Sequence, residues 1–319
     1  MTAPARASLI RVARHELDDG TRDLLGKEVA ARVAAADLDS DANEAILASI
    51  GAHALSEYLP GQFLRALTLY AATGAHALIL ANLPVQEFPP TPVSGFGTET
   101  DLAVTNALHF GLIQILGLTP YAVEYENDGR LIRNVVPNPA ASGTTSSWGA
   151  DSEFSWHTDN PHLPFGGPGL DPRRYVPRYL TFYAVRNDER VPTELAAVAD
   201  ATAALDATAT DALRRADFEV GAPASNDTRH ALAGTPVLEH GPDGDRARFD
   251  KGTTRALTPS ASAALGDWSG ALASMPAREL VLNPGEFLIF DNYRVLHRRR
   301  AFTPGPAPTA RWLRRCYAS

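Results

Sequence analysis

Cysteine is nearly absent from this 319-residue chain, with Cys316 the only one. One thiol excludes an internal disulfide framework and a cysteine-rich zinc site. Positive charge is also scarce. Twenty-nine Lys and Arg against 37 Asp and Glu leave a formal net charge of −8, which argues against a nucleic-acid surface. The Arg-rich stretches at 298–300 and 311–315 are local exceptions in mixed sequence. Long apolar runs are missing too. The longest, near residues 75–83, falls far short of a membrane span. No signal-peptide core precedes Arg11 and Arg14, so the expected location is the cytoplasm. What the chain does have is an ordinary globular composition, 45% hydrophobic and 21% charged, enough to bury a real core.

Residues 17–69 read as helical, with Leu24, Val29, Val33, Leu47, Ile50 and Leu55 at roughly helical spacing. Pro60-Gly61 interrupts, and a further helix is expected over 63–73. The pattern then changes. The compact run Ala77-Leu78-Ile79-Leu80 reads as a buried strand, and 100–116 as another helix. Strands are expected over 130–136, 154–157, 179–186, 234–238 and 246–249, broken by an Ala-rich helix or helix pair over 193–215. Residues 280–282 and 287–290 flank Asn283-Pro284-Gly285-Glu286, where Pro presets one φ angle and Gly accepts a positive one, as a tight turn needs. There is no internal repeat. The expectation is α+β and one domain over 1–319: a mainly helical flank (1–75) and a β-rich core with packed helices (76–319). Segments 139–152, 165–174 and 221–228 are rich in Gly, Ser, Pro and Asp, a composition that suits lids and plain connections alike.

His157-Thr158-Asp159 ends one of the expected strands. Alternate side chains of a strand share a face, so His157 and Asp159 can reach one ion while Thr158 points away. His297, 140 residues later, is the best third ligand. Two imidazoles and a carboxylate on one face of an octahedron leave three positions open, the arrangement of non-haem iron(II) oxygenases. A His-x-Asp pair is common by chance, and the same ligands suit zinc.

The pieces taken together resemble one family. His157-Thr158-Asp159, the Asn-Pro-Gly-Glu turn, the segment DNYRVLHRRRAF and Arg311-Trp312-Leu313 are similar to the clavaminate synthase-like branch of the Fe(II)/2-oxoglutarate oxygenases. The resemblance implies a double-stranded β-helix (jelly-roll) core, with Fe(II) on His157, Asp159 and His297, and 2-oxoglutarate and O2 as co-substrates. It implies that Arg311, fourteen residues after His297, binds the distal carboxylate of 2-oxoglutarate. Arginine suits that task because its planar fork pairs with both carboxylate oxygens and stays charged. Strand alternation puts Arg311 and Leu313 on one face, away from Trp312 and Arg314. Thr181 resembles the family threonine that meets the same carboxylate. Asp159 departs from the branch, which more often has Glu there. A carboxylate rather than Gly or Ala argues against halogenation, which needs that coordination position for halide.

For the substrate, the resemblance points to a free amino acid or derivative hydroxylated at an aliphatic carbon, with succinate and CO2 released. Glu126 would offer a polar group to the amino acid moiety, or be a solvated acid beside Asn127-Asp128-Gly129. Asp250 lies where relatives that bind cationic side chains carry acids. Ser147, Glu153 and Ser155 precede the iron motif, and Glu153 and Ser155 share alternation with His157. His162 is either a group supporting the ligands or a surface histidine. A carrier-tethered or peptidyl amino acid, a non-oxygenase metal-binding barrel and a zinc hydrolase stay open as rivals.

Overall fold

The computed structural model describes residues 8–38, 43–167, 169–223 and 225–319. The N-terminal residues 1–7 and single positions in two of the candidate lids, Pro168 and Ala224, lie outside them.

The flank opens with a strand that helical spacing does not reveal. β1 (Val12–Glu16) runs parallel to β2 (Ala77–Ala81), so a strand precedes the helices of the mainly helical flank. Between them lie α1 (Asp19–Ala35), α2 (Glu44–Tyr58), α3 (Gly61–Thr68) and the single turn α4 (Tyr70–Thr73). The Asp18 carboxylate starts α1 by accepting from the Thr21 N–H at 2.9 Å. α5 (Ala103–Ile115) follows, and it crosses α2 at two glycines. A Cβ on Gly51 would sit 1.7 Å from the Ala107 carbonyl oxygen, so backbone contact sets this crossing.

The strands that build the core are β3 (Pro120–Tyr121), β4 (Arg133–Val135), β5 (Phe154–His157), β6 (Tyr179–Arg186) and β7 (Thr193–Ala197). Thr193–Ala197 falls within the segment expected to be helical; α6 (Val198–Thr202) and α7 (Ala207–Leu213) come only after it. Alanine carries little preference of its own against pairing on both edges, and β7 lies between two partners. Next come β8 (Phe218–Gly221), β9 (Ala231–Thr235), β10 (Leu238–Gly241), β11 (Gly244–Ala247) and β12 (Thr254–Ala256). The strand expected over 234–238 thus spans a break between β9 and β10. The chain closes with α8 (Pro259–Ser274), β13 (Arg278–Leu280), β14 (Phe287–Asp291), β15 (Val295–Arg299) and β16 (Trp312–Ala318).

Two sheets carry the architecture. A seven-stranded mixed sheet has the order β1-β2-β14-β6-β16-β3, with β4 also on β16. A four-stranded sheet has the order β13-β7-β15-β5. Strand alternation explains the layering. Leu180, Phe182, Leu288, Phe290 and Leu313 join Leu195 and Val295 of the smaller sheet in one apolar cluster. The opposite faces bear Tyr183, Phe287 and Ile289, which pack with α1 to α5. The outer side of the small sheet, through Trp156, Ala196 and Leu296, packs with α7 and α8. The Asn283–Glu286 turn is tight, with the Glu286 N–H donating to Asn283 O at 3.0 Å and Gly285 at φ +77°. It does not close a hairpin: β13 belongs to the small sheet and β14 to the large one. No described helix is long and apolar enough to cross a membrane.

Candidate metal centre and active-site cavity

β5 and β15 pair antiparallel with His157 directly opposite His297. Cross-strand partners come close, and the two ring centroids stand 4.0 Å apart. Asp159, just past the end of β5, turns Oδ1 toward both rings, 3.3 Å from His157 Nε2 and 3.5 Å from His297 Nε2. The three ligand atoms lie within 4.8 Å of one another, and all three residues are buried.

The groups around them prepare these atoms for a cation. His157 Nδ1 is 2.7 Å from the Ser155 carbonyl oxygen. Nδ1 donates there, which turns Nε2, a buried atom with no hydrogen-bond partner among the described residues, toward the site. Burial, with His157 adding to it, lowers the His297 pKa to about 4, so this ring is neutral near pH 7. Burial alone would raise the Asp159 pKa, but Arg315 and the two imidazoles outweigh it and hold the carboxyl well below its usual range. Asp159 is held at both ends. Its N–H donates to Asn292 Oδ1 at 3.0 Å, and Asn292 Nδ2 donates to its carbonyl at 3.3 Å. Its second oxygen, Oδ2, accepts from Arg315 at 2.6 Å. Oδ1 alone therefore faces the histidines. Thr158 points away, as strand alternation requires, donating to Ala247 O at 3.0 Å.

A cavity of about 40 Å³ opens beside the triad, lined in part by Ser147, Phe154, Phe182, Thr193 and Arg311. Arg311 is 3% exposed. Its backbone N–H donates to Glu189 at 3.0 Å, but among the described residues its guanidinium has neither a hydrogen-bond nor an ion-pair partner. Burial, then the nearby Arg299, pulls its pKa down to about 9. Glu189 offsets this only in part, and a buried cation with no ion pair of its own, facing a cavity, is suited to an anionic ligand.

The structure redistributes the remaining candidates. Thr181 is corrected. It lies on the other face of β6, donating to Cys316 O at 3.1 Å and paired with His109 Nε2 at 2.8 Å. Thr193, on β7, is the threonine that lines the cavity. Glu153 and Ser155 are corrected as well. The ladder steps from His297 to Arg299 on β15 but from His157 to Phe154 on β5. That extra residue shifts the alternation, so Phe154 faces the cavity and stacks on His157 at 3.8 Å. Glu153 is exposed near Arg298 at 3.8 Å, and Ser155 contributes its carbonyl rather than its hydroxyl. Asp250 pairs by backbone with His157, yet its Oδ1 caps its own turn, accepting from Gly252 N at 2.7 Å and Thr253 N at 3.1 Å. It does not line the cavity.

Ser147 does reach the cavity, held by Arg133 Nε at 2.9 Å. Its loop, a candidate lid, is clamped by the Arg299 guanidinium through the carbonyls of Ser146, Gly149, Ala150 and Ser152. Glu126 is buried rather than solvated. It pairs with Arg315 and accepts from the Tyr317 hydroxyl at 2.7 Å. Arg315 and Tyr317 were missed by sequence reading, although the alternation that turns Arg311 and Leu313 inward continues to both. His162 is fully buried.

Two imidazoles, one carboxylate oxygen and an unpaired guanidinium in one cavity define a mononuclear iron oxygenase site that takes an anionic co-substrate. The chain matches the taurine catabolism dioxygenase TauD, TfdA family over residues 93–317 and belongs to it; it is a non-haem iron, 2-oxoglutarate-dependent oxygenase. It is 28% identical over 251 residues to an L-asparagine oxygenase of Streptomyces coelicolor, covering 76% of this chain and 70% of that protein. It is 25% identical over 297 residues to an enduracididine beta-hydroxylase of Streptomyces hygroscopicus, with 82% of each covered. Among solved structures, asparagine oxygenase in complex with Fe(II), 2S,3S-3-hydroxyasparagine and succinate is similar with a TM-score of 0.79 and 25% identity, over 95% of this chain and 92% of that one.

Proposed function

We propose that the protein hydroxylates an aliphatic carbon of a free amino acid or a close derivative, consuming 2-oxoglutarate and O2 and releasing succinate and CO2. The observation that carries this reading is the unpaired Arg311 guanidinium in the cavity that holds the His157–Asp159–His297 triad. The triad would hold Fe(II), which when bound supplies the oxidising chemistry that a protein side chain lacks. Arg311, with the Thr193 hydroxyl nearby, would hold the far carboxylate of 2-oxoglutarate. Phe154 and Phe182 line the same cavity and would strengthen that ion pair by excluding water. Arg315 and Glu126 set a cation and an anion side by side next to Asp159, as recognition of an amino acid's carboxylate and ammonium requires. The named relatives, an asparagine oxygenase and an enduracididine hydroxylase, favour the same substrate class. In this reading the two facing sheets form a jelly-roll core within one oxygenase domain, and the enzyme works in the cytoplasm on a small molecule.

The test is succinate release by metal-free protein resupplied with Fe(II), ascorbate and O2 across a panel of free amino acids. One panel member should stimulate turnover, and His297→Ala should abolish it. Turnover that no panel member stimulates would shift the substrate to a tethered or peptidyl amino acid. Restoration by zinc without any need for 2-oxoglutarate would overturn the oxygenase reading.

A further inference from the structure

The Tyr317 hydroxyl stands between two carboxylates. It is 2.7 Å from Glu126 Oε2 and 3.1 Å from Asp159 Oδ2. Asn160 Nδ2 approaches the same oxygen at 3.3 Å as a donor. A phenol has one proton, so only one of the two acids can receive it at a time. In this structure the shorter contact is to Glu126. All four side chains are buried, so no bulk water levels the competition. One of the acids supplies a metal-ligand oxygen; the other would take the substrate's ammonium group in the function proposed above.

We infer that Tyr317 is a positioning residue that couples the two sites: Glu126 Oε1 is already paired with Arg315 and 3.7 Å from Arg133, and when a further cation engages Oε2 the hydroxyl transfers its hydrogen bond to Asp159 Oδ2. There it joins Arg315 in holding the carboxylate so that Oδ1 alone is offered to the metal. Groups that hydrogen-bond to metal ligands change metal affinity by about 10- to 100-fold when lost. A hydroxyl that moves between acceptors should act at the lower end of that range. By linkage, whatever binds at Glu126 and tightens the metal is itself bound more tightly when the metal is present. This rests on the proposed metal centre and on Glu126 as the ammonium partner.

The experiment replaces the substrate by chemistry at Glu126 and reads Mn(II) binding to the full-length, metal-free protein by calorimetry. Glu126→Gln weakens the competing acceptor. Loss of a negative charge near the site would by itself weaken binding of a dication, whereas release of the hydroxyl to Asp159 should tighten it by about tenfold. In the Tyr317→Phe background the same substitution should give no tightening, and the difference between the two backgrounds is the coupling. Glu126→Asp, which keeps the charge but withdraws the oxygen, should tighten Mn(II) binding with Tyr317 intact, so the test stands even if Tyr317→Phe does not fold. Equal effects of Glu126→Gln in both backgrounds, or Glu126→Asp unchanged from wild type, overturn the coupling. Failure of the wild type to bind Mn(II) would instead overturn the metal centre itself.

Discussion

Replacing Arg311 by methionine should move two properties in opposite directions. The guanidinium is buried beside the triad with no acceptor of its own, and burial, then Arg299, lowers its pKa from 12.5 to about 9. The folded pKa lies below the unfolded one, so the charged form costs stability at every pH below about 9. The cost fades as pH rises from there toward 12.5. The difference corresponds to on the order of 4–5 kcal/mol against the charged form at neutral pH. Methionine keeps length and apolar contact without the charge. It should recover part of that, about 1–3 kcal/mol, raising the Tm of co-substrate-free protein by a few degrees. The anion would then have lost two charge-assisted hydrogen bonds, about 3 kcal/mol or more. That is roughly a hundredfold rise in Kd or KM for 2-oxoglutarate. Calorimetry with Mn(II) present, succinate release and thermal melts without 2-oxoglutarate measure the three quantities. A KM within about threefold of wild type, or a lower melting temperature for the co-substrate-free variant, would refute the reasoning.

The two threonines separate a cavity role from a packing role. Thr193→Val should raise KM for 2-oxoglutarate about five- to tenfold with little loss of stability. Thr181→Val should leave KM unmoved but cost about 1–3 kcal/mol in urea unfolding, because His109 Nε2 loses its partner; the opposite pattern would return Thr181 to the active site. Acid should destabilise the metal-free protein well above the usual carboxylate range. His76, His162 and His297 are lowered to about 4 and His109 to about 3, burial being the largest cause for each. Because their folded pKa values lie below the unfolded value of 6.5, the unfolded chain binds more protons between pH 6.5 and about 4, and stability falls as pH drops through that window. Urea midpoints in the presence of chelator should fall clearly from pH 7.5 to 4.5; equal midpoints would show that these rings are not buried neutral.

Several features of the centre are local, and local pattern carries them. His157 and Asp159 flank a residue that points away because a strand's period is two, and that rule needs no knowledge of a partner strand. The same rule orients Arg311 against Trp312 and, extended along β16, would have found Arg315 and Tyr317. Long helices and fully apolar strands were legible for a related reason: periodicity over many residues reports one buried face.

What the tertiary structure alone decided depends on pairing between distant segments. The bulge that turns Phe154 rather than Ser155 into the cavity exists only in the register between β5 and β15. Which threonine meets the cavity depends on which face of β6 the helices cover, and on Thr193 lying in a strand where the sequence reads as helix. β1 and β7 are strands because neighbours complete their hydrogen bonds, not because of their composition. Glu126 looks like a solvated acid beside a turn until Arg315, 189 residues away, is packed against it. Strand period is written into consecutive residues; register, face coverage and the partner of a buried charge arise only when remote segments close on one another.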